Sequence, residues 1–585
     1  LGNERLLLGF MRKYWYFYGS AIIALGISNV IQSYYPRVLG QFADQLQTTG
    51  ITPEAIEHYS LLLLGIGVTY GVMFAVGQYT VMRLGRYFEF TTRRKLFAHF
   101  TGLSENYYSK HGVGELLSYV MNDVTAVRES ISIGFNQTTN AIILILSAMV
   151  MMSLSSIPIY LILVCVLPLL AIPVVVVYLG PMIRKRSLKV QESLAKMTES
   201  AEEQFGGIRV TKKFAVEGVM QQRFGRTVDT IRDNQLRLVR ISSLFQAALP
   251  FLGALSLVIT VIFGGYLTIQ HRITLGNFVS LTLYLRMMVN PLQNIGNVIN
   301  TMQRSRASLE RIKKLLDVPA DIRESQHAKP LEQSASDISI RGLSFAYPGA
   351  SQQVLRDIDI VVRPGTTLGI IGKTGSGKTT LVKLLLRIYE PPEGTIRIGR
   401  QDIRHATLES LRSHIAYVPQ DGFLFSTTLR ENIAFSDREH LPAEAVEEAS
   451  RQAQLYNNII DFSERFETKL GERGITLSGG QRQRTSLARG FIKEAPILIL
   501  DDSVSAVDAV TETRIIEKLR EERTGKTTII IAHRISALQH ADEIIVLDEG
   551  RIAQRGTHQE LLAEEGLYAS LHAIQEEGTR HAEGS

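Results

Sequence analysis

The chain has 585 residues, too many for one hydrophobic core, so two or more domains are expected. Apolar residues make up 45% and the net charge is +6. Long apolar runs crowd the part before about residue 310 and basic residues fall between them, which fits a cytoplasmic membrane face and argues against a nucleic-acid partner, while a lone cysteine, Cys165, rules out an intrachain disulfide.

No short apolar region followed by a cleavage site opens the sequence, so no removable signal peptide is expected. Six stretches hold the roughly 20 mostly apolar residues that a spanning helix needs: 14–38, 59–82, 135–154, 157–179, 245–267 and 275–299. Only "SSI" separates the third from the fourth, a tight outside turn. The connections alternate in length, and 85–134 and 181–244 are long and helix-patterned. Both are basic, with "RRK" at 93–95 and "RKR" at 184–186, whereas 40–58 has no Lys or Arg. The positive-inside rule puts the long connections, both termini and the second half in the cytoplasm. The long connections read as spans continued into the cytoplasm, turning at "SENYYSKHG" (104–112) and "VTKKFAVEGVM" (210–220). These are either short helices that dock on the second domain or plain surface turns. The polar stretch 317–337 reads as a linker between a membrane domain, 1–316, and a second domain, 338–585.

The second domain carries "GKTGSGKT", residues 372–379, between the apolar strand "TLGII" and the apolar-patterned helix "TLVKLLLRI". That context is what a P-loop requires. Gly372, Gly375 and Gly377, with Thr374, Ser376 and Thr380, let backbone N–H groups converge on phosphate oxygens at a helix N-terminus. Lys378 should reach the β- and γ-phosphates of ATP, and Thr379 should ligate Mg²⁺. Further on, "ILILDDS" runs a buried strand into Asp501, a carboxylate for the magnesium environment. "LSGGQRQR" (477–484) offers Ser478, Gly479, Gly480 and Gln481 at a helix start, either a second anion site or an ordinary helix cap.

Taken together, these motifs resemble the ATP-binding cassette family, and the resemblance covers essentially the whole chain. It implies an all-α six-helix transmembrane domain with long cytoplasmic helical extensions, fused to an α/β P-loop ATPase domain. It further implies that Tyr347 stacks adenine and that Gln420, in "YVPQD", senses Mg²⁺. "SAVD" (505–508) would be the D-loop, and His533 would be the switch histidine on the γ-phosphate. "GELLSYVMNDV" (114–124) matches the exporter class. Such a chain is a half-transporter, whose ATP sites form when the P-loop of one cassette faces the signature of another.

In that family the residue after the strand aspartate is usually glutamate, which polarises the attacking water. Here it is Asp502, one methylene shorter. A shortfall of about 1 Å can cost about 100-fold in rate. Slow hydrolysis beside intact ATP binding resembles the degenerate-site subunits of heterodimeric bacterial multidrug exporters, in which the undamaged signature completes the partner's working site. A homodimer that tolerates aspartate is the alternative. Lys469, in "TKLGERG", departs from the glutamate often found in exporters.

On the last span Arg286, Asn290, Asn294 and Asn297 recur at helical spacing, flanked by Met287 and Met288. The stripe should avoid lipid and face the interior. It either lines a cavity for amphipathic small molecules or holds helices together. The expected protein is an ATP-driven multidrug exporter half in a bacterial plasma membrane, in contact with membrane lipid, its favoured partner a second, different half-transporter. Lipid or peptide cargo, and a non-pumping ATP-gated regulator or channel, are the competing readings.

Overall fold

The computed structural model describes residues 6–48, 52–332, 337–436, 441–471, 474, 477–505 and 507–583. It divides into two compact units. One comprises residues 1–101 and 112–318, the other 102–111 and 319–585. Parts of the acidic loop 40–58 and of the linker 317–337, namely residues 49–51 and 333–336, lie outside the described residues.

The first unit is all helical. A short helix, α1 (Leu6–Lys13), meets α2 (Trp15–Thr48) at 74°. Then come α3 (Pro53–Gly102), α5 (Val113–Leu154), α6 (Ile159–Gly206), the short α7 (Ile208–Phe214), α8 (Glu217–Ile269) and α9 (Leu275–Leu316); α4 (Glu105–Lys110) belongs to the other unit. The turn between α5 and α6 places Ser156 in the left-handed region (φ 58°), which reverses the chain within a few residues. Among the described residues four helices, α3, α5, α6 and α8, are long and apolar enough to cross a membrane, and α1 with α2 makes a fifth. The sixth expected span, 275–299, lies in α9 and is not among them, because Arg286 and the three asparagines interrupt its apolar run.

Apolar and small residues pack this unit. Cys165, Leu281, Tyr284 and Met288 share one buried cluster. Gly40 of α2 meets Gly276 of α9 so closely that a Cβ on Gly40 would lie 2.4 Å from the Gly276 carbonyl oxygen. Buried hydroxyls pair across helices, as in Ser33 with Ser147 at 2.5 Å and Ser256 with the Cys165 carbonyl at 2.6 Å; in a bilayer such groups need a protein partner.

The second unit is α/β. Its main sheet has the order β10–β9–β3–β8–β7–β6. These strands are β3 (Thr367–Gly372), β6 (Ile415–Val418), β7 (Ile497–Asp501), β8 (Thr527–Ile531), β9 (Glu543–Asp548) and β10 (Arg551–Gly556). All pairs are parallel except β9 with β10. β7 reads "ILILD" because both its faces are covered: Ile497 and Ile499 enter one core, Leu498 and Leu500 the other. A second, antiparallel sheet has the order β2–β1–β4–β5, from β1 (Ile338–Phe345), β2 (Leu355–Val362), β4 (Ile396–Ile398) and β5 (Gln401–Asp402). The parallel register sets Ile531 of β8 beside both Ile370 of β3 and Asp501 of β7. The loops after these three strands therefore emerge together at one sheet edge, where ligands bind in open α/β folds.

The turn 102–111 groups with this unit and forms α4 (Glu105–Lys110). Glu105 accepts from Lys383 Nζ at 2.6 Å, on α10 (Lys378–Leu385), and Ser104 donates to Asp321. The turn is thus a docked helix, not a bare surface loop. The other turn contains α7, which belongs to the first unit.

Candidate functional site

The loop from β3 to α10 is shaped by its glycines. Gly375 and Gly377 have φ of 85° and 104°, and a Cβ on Gly377 would lie 2.7 Å from Leu355 Cδ2. Lys378 folds back over the loop, donating to the carbonyls of Gly372 (2.8 Å) and Lys373 (2.9 Å). An ammonium has three protons, so one remains for a ligand. Burial pushes the Lys378 pKa down, against the pull of Asp501 and Asp502. The hydroxyl of Ser376 is buried with no partner among the described residues. An orphaned donor inside a loop of converging N–H groups is suited to an anion.

Asp501 ends β7 and is only 2% exposed. Burial raises its pKa, while hydrogen bonds from Thr379 and Tyr417 oppose the rise; the Tyr417 hydroxyl lies 3.3 Å from Oδ2. Asp502 adopts φ 46°, unusual for a non-glycine residue. Its backbone is held on several sides: its N–H donates to the Ile531 carbonyl (2.8 Å), and its carbonyl accepts from Gln483 Nε2 (3.0 Å) and Ser505 Oγ (2.9 Å). Gln420 Nε2 donates to its carboxylate at 3.2 Å.

One cavity of about 340 Å³ collects Thr374, Gly375, Gly377, Lys378, Thr379, Thr380, Gln420, Asp501, Asp502 and His533. Gly372 and Ser376 belong to the same loop but not to the cavity wall. Tyr347 also stands off the wall: its hydroxyl is 2.9 Å from Thr380 Oγ1, and its ring packs edge-on against Tyr389 at 5.0 Å. Ser478, Gly479, Gly480 and Gln481 are elsewhere, at the start of α11 (Gly479–Phe491). There Ser478 and Gln481 form a reciprocal capping box, with bonds of 3.0 and 3.3 Å. Asp508 caps α12 (Ala509–Glu522). Ala506 of the "SAVD" motif, and Glu472 and Arg473 beside Lys469, lie outside the described residues.

The polar stripe of α9 is not in the interior of its unit. Arg286, Asn290 and Asn297 are exposed and Asn294 is half-buried, opposite the face that packs. Met288 does not flank the stripe: it is 2% exposed and sits in the core with Tyr284 and Leu285.

Several supporting residues escaped the sequence reading. Tyr417 could have been found, since it is the penultimate residue of β6, the strand beside β7. Gln575, on α13 (Leu567–Glu583), is 42 residues from His533 and carried no signal. Its Nε2 donates to the His533 carbonyl at 2.7 Å and its Oε1 accepts from Ile535 N–H at 3.0 Å. Buried Glu512 holds the same loop from α12, accepting from Arg534 (3.0 Å) and Ser536 (2.6 Å). Gln575→Leu removes both backbone bonds and is expected to destabilise the α/β unit by about 1–2 kcal/mol, measured by thermal unfolding; an unchanged melting temperature would show the clamp to be idle.

Two family descriptions match this architecture: "ABC transporter transmembrane region" over residues 18–292 and "ABC transporter" over residues 355–505. A probable multidrug resistance ABC transporter ATP-binding/permease protein, YheI of Bacillus subtilis, is 36% identical over 97% of this chain and 96% of its own length. The chain belongs to the ABC transporter family. Another member, the ATP-dependent lipid A-core flippase of Alkalilimnicola ehrlichii, is 34% identical over 98% of this chain and 96% of its own. A solved bacterial Atm1-family ABC exporter with ATP bound shares the fold, with a TM-score of 0.76 at 24% identity, over 97% of this chain and 98% of that one. This ABC transporter is an ATPase-coupled exporter with a helical membrane domain and an α/β ATP-binding domain.

Proposed function

We propose that this ABC exporter is one half of a heterodimer that moves amphipathic small molecules outward across a bacterial plasma membrane, and that its own ATP site hydrolyses slowly. In this reading residues 1–316 form the membrane domain, 317–337 the linker and 338–585 the cytoplasmic cassette. The observation that carries it is Asp502: a short carboxylate on the wall of the P-loop cavity, engaged by Gln420 and held in a strained backbone conformation.

The residues suit a nucleoside triphosphate. Ser376, Lys378 and the loop N–H groups receive phosphate oxygens, and Tyr347 lies at the margin for the base. Mg²⁺ keeps most of its ligands from water and phosphate, so the Thr379 hydroxyl, Asp501 and the Gln420 carbonyl oxygen suffice as its protein ligands. Bound ATP supplies the phosphoryl group whose transfer to water resets the transporter. Asp502 and His533 are the groups in reach of that water and the γ-phosphate. With one methylene fewer than glutamate, the Asp502 carboxylate would stop about 1 Å short of orienting that water, which would leave binding intact and hydrolysis slow. The signature at Ser478–Gln481, off this cavity and exposed at a helix start, is free to complete the site of the partner.

Asp502→Glu is expected to raise hydrolysis at this chain's site by up to about 100-fold when that site is isolated by removing the partner's own catalytic carboxylate. No gain, with ATP still bound, would place the defect elsewhere. The multidrug reading rests on the exposed polar stripe of α9 and on the name of the B. subtilis relative; the flippase relatives favour lipid cargo as the second reading, and a homodimer that tolerates Asp502 is the second reading of the assembly.

A further inference from the structure

The cytoplasmic end of α2 and α3 carries a groove that nucleotide chemistry does not use. α1 turns 74° away from α2, ends in Arg12 and Lys13, and packs Phe10 edge-on against Phe88 of α3 at 5.3 Å. Tyr14, at the bend, meets Tyr87 edge-on at 5.4 Å. A short helix turned out of a span, with cations at its end, suits the membrane–water interface. Beside the bend, α2 and α3 enclose a hollow of about 570 Å³. Its α3 wall is a stripe at helical spacing, Tyr79, Arg83, Tyr87 and Phe90, and Phe17 faces it from α2. Tyr79 and Phe90 are 68% and 63% exposed.

The charge here is one-sided. Glu89 is buried and shared by three guanidiniums: Arg86 at 2.9 Å, Arg93 at 2.8 Å and Arg128 at 3.5 Å. Among the described residues no carboxylate pairs with Arg83. Arg83 and Arg86 stand just past the apolar run 59–82, at the level where lipid headgroups begin, and the aromatic residues around them are the type enriched there. The hollow is thus aromatic along its length and cationic at its cytoplasmic mouth. That profile complements an anionic amphiphile, and basic pockets between helices on the cytoplasmic side bind acidic headgroups.

We propose that this groove binds an anionic phospholipid of the cytoplasmic leaflet, its phosphate on Arg83 and Arg86 and its acyl chain along Tyr79 and Phe17. The test uses the full-length transporter in phosphatidylcholine nanodiscs, titrated with phosphatidylglycerol, with bound lipid counted by native mass spectrometry. Each guanidinium near the surface contributes about fivefold, so R83Q/R86Q should weaken phosphatidylglycerol binding about 25-fold. R83K/R86K should keep most of it, and phosphatidylcholine should bind weakly to both. Equal phosphatidylglycerol affinity in wild type and R83Q/R86Q would overturn the proposal. So would phosphatidylcholine binding as tightly, which marks a plain apolar cleft, or displacement by inorganic phosphate, which marks a free-anion site. If R83Q/R86Q does not assemble, the wild type decides: affinity must fall with rising salt, and a salt-independent affinity refutes the site.

Discussion

Gly479→Asp is expected to lower the steady-state ATPase of the assembled transporter by on the order of 100-fold or more while leaving this chain folded. The two halves of that expectation have separate causes. Within the chain, a Cβ on Gly479 meets nothing within 4 Å. Gly479 is the first residue of α11, where an aspartate interacts favourably with the helix dipole, and the Ser478–Gln481 capping box stays intact. Across the proposed interface, the same carboxylate would face the γ-phosphate bound by the partner. Like charges brought together at an interface cost several kcal/mol. On the proposed heterodimer reading, the damage falls on the site that turns over. Steady-state ATPase and thermal unfolding on one preparation check both halves; near-normal turnover would mean that this signature serves no working site.

Lys378→Ala gives the contrasting result. It should weaken ATP binding at this chain's own cavity by about 100-fold, the equivalent of about 3 kcal/mol for a charge-assisted phosphate contact. Lys378 also ties the loop to itself through the Gly372 and Lys373 carbonyls, so the empty loop loses some order as well. Total ATPase should nevertheless fall only in part, because on the proposed reading the lysine serves the slow site. A signature change worse than a P-loop lysine change is an unusual order for an ATPase. Equal loss from both, in the same membranes, would favour a homodimer.

The parts of this molecule legible in the sequence are those set by local pattern. β7 and β8 are runs of apolar and β-branched residues because both faces of the sheet are covered, and the P-loop shows itself through glycines that only its backbone geometry requires. Met288 lies about 200° around the helix from Arg286 and so packs in the core, which adjacency in sequence to the polar stripe does not convey. The sixth expected span, 275–299, is helical within α9, with its polar stripe on the exposed face and fewer apolar residues than the other long helices. Other features come from residues that only folding joins. The Lys383–Glu105 ion pair links positions 278 apart, and the Gln575 clamp on the His533 loop bridges 42 residues. The left-handed backbone of Asp502 is likewise invisible in "DDS", because it is imposed by Ile531, Gln483 and Ser505.

The central claim is that this chain holds ATP in its own site without readily cleaving it. The most direct measurement labels the native complex with a photoreactive ATP analogue carrying either an α- or a γ-phosphate isotope, allows one turnover with Mg²⁺, and separates the chains. The account predicts that the γ-label stays on this chain long after the partner has lost its own, while the α-label remains on both. Loss of the γ-label from both at one rate, or a single labelled species that loses it completely, would contradict the account.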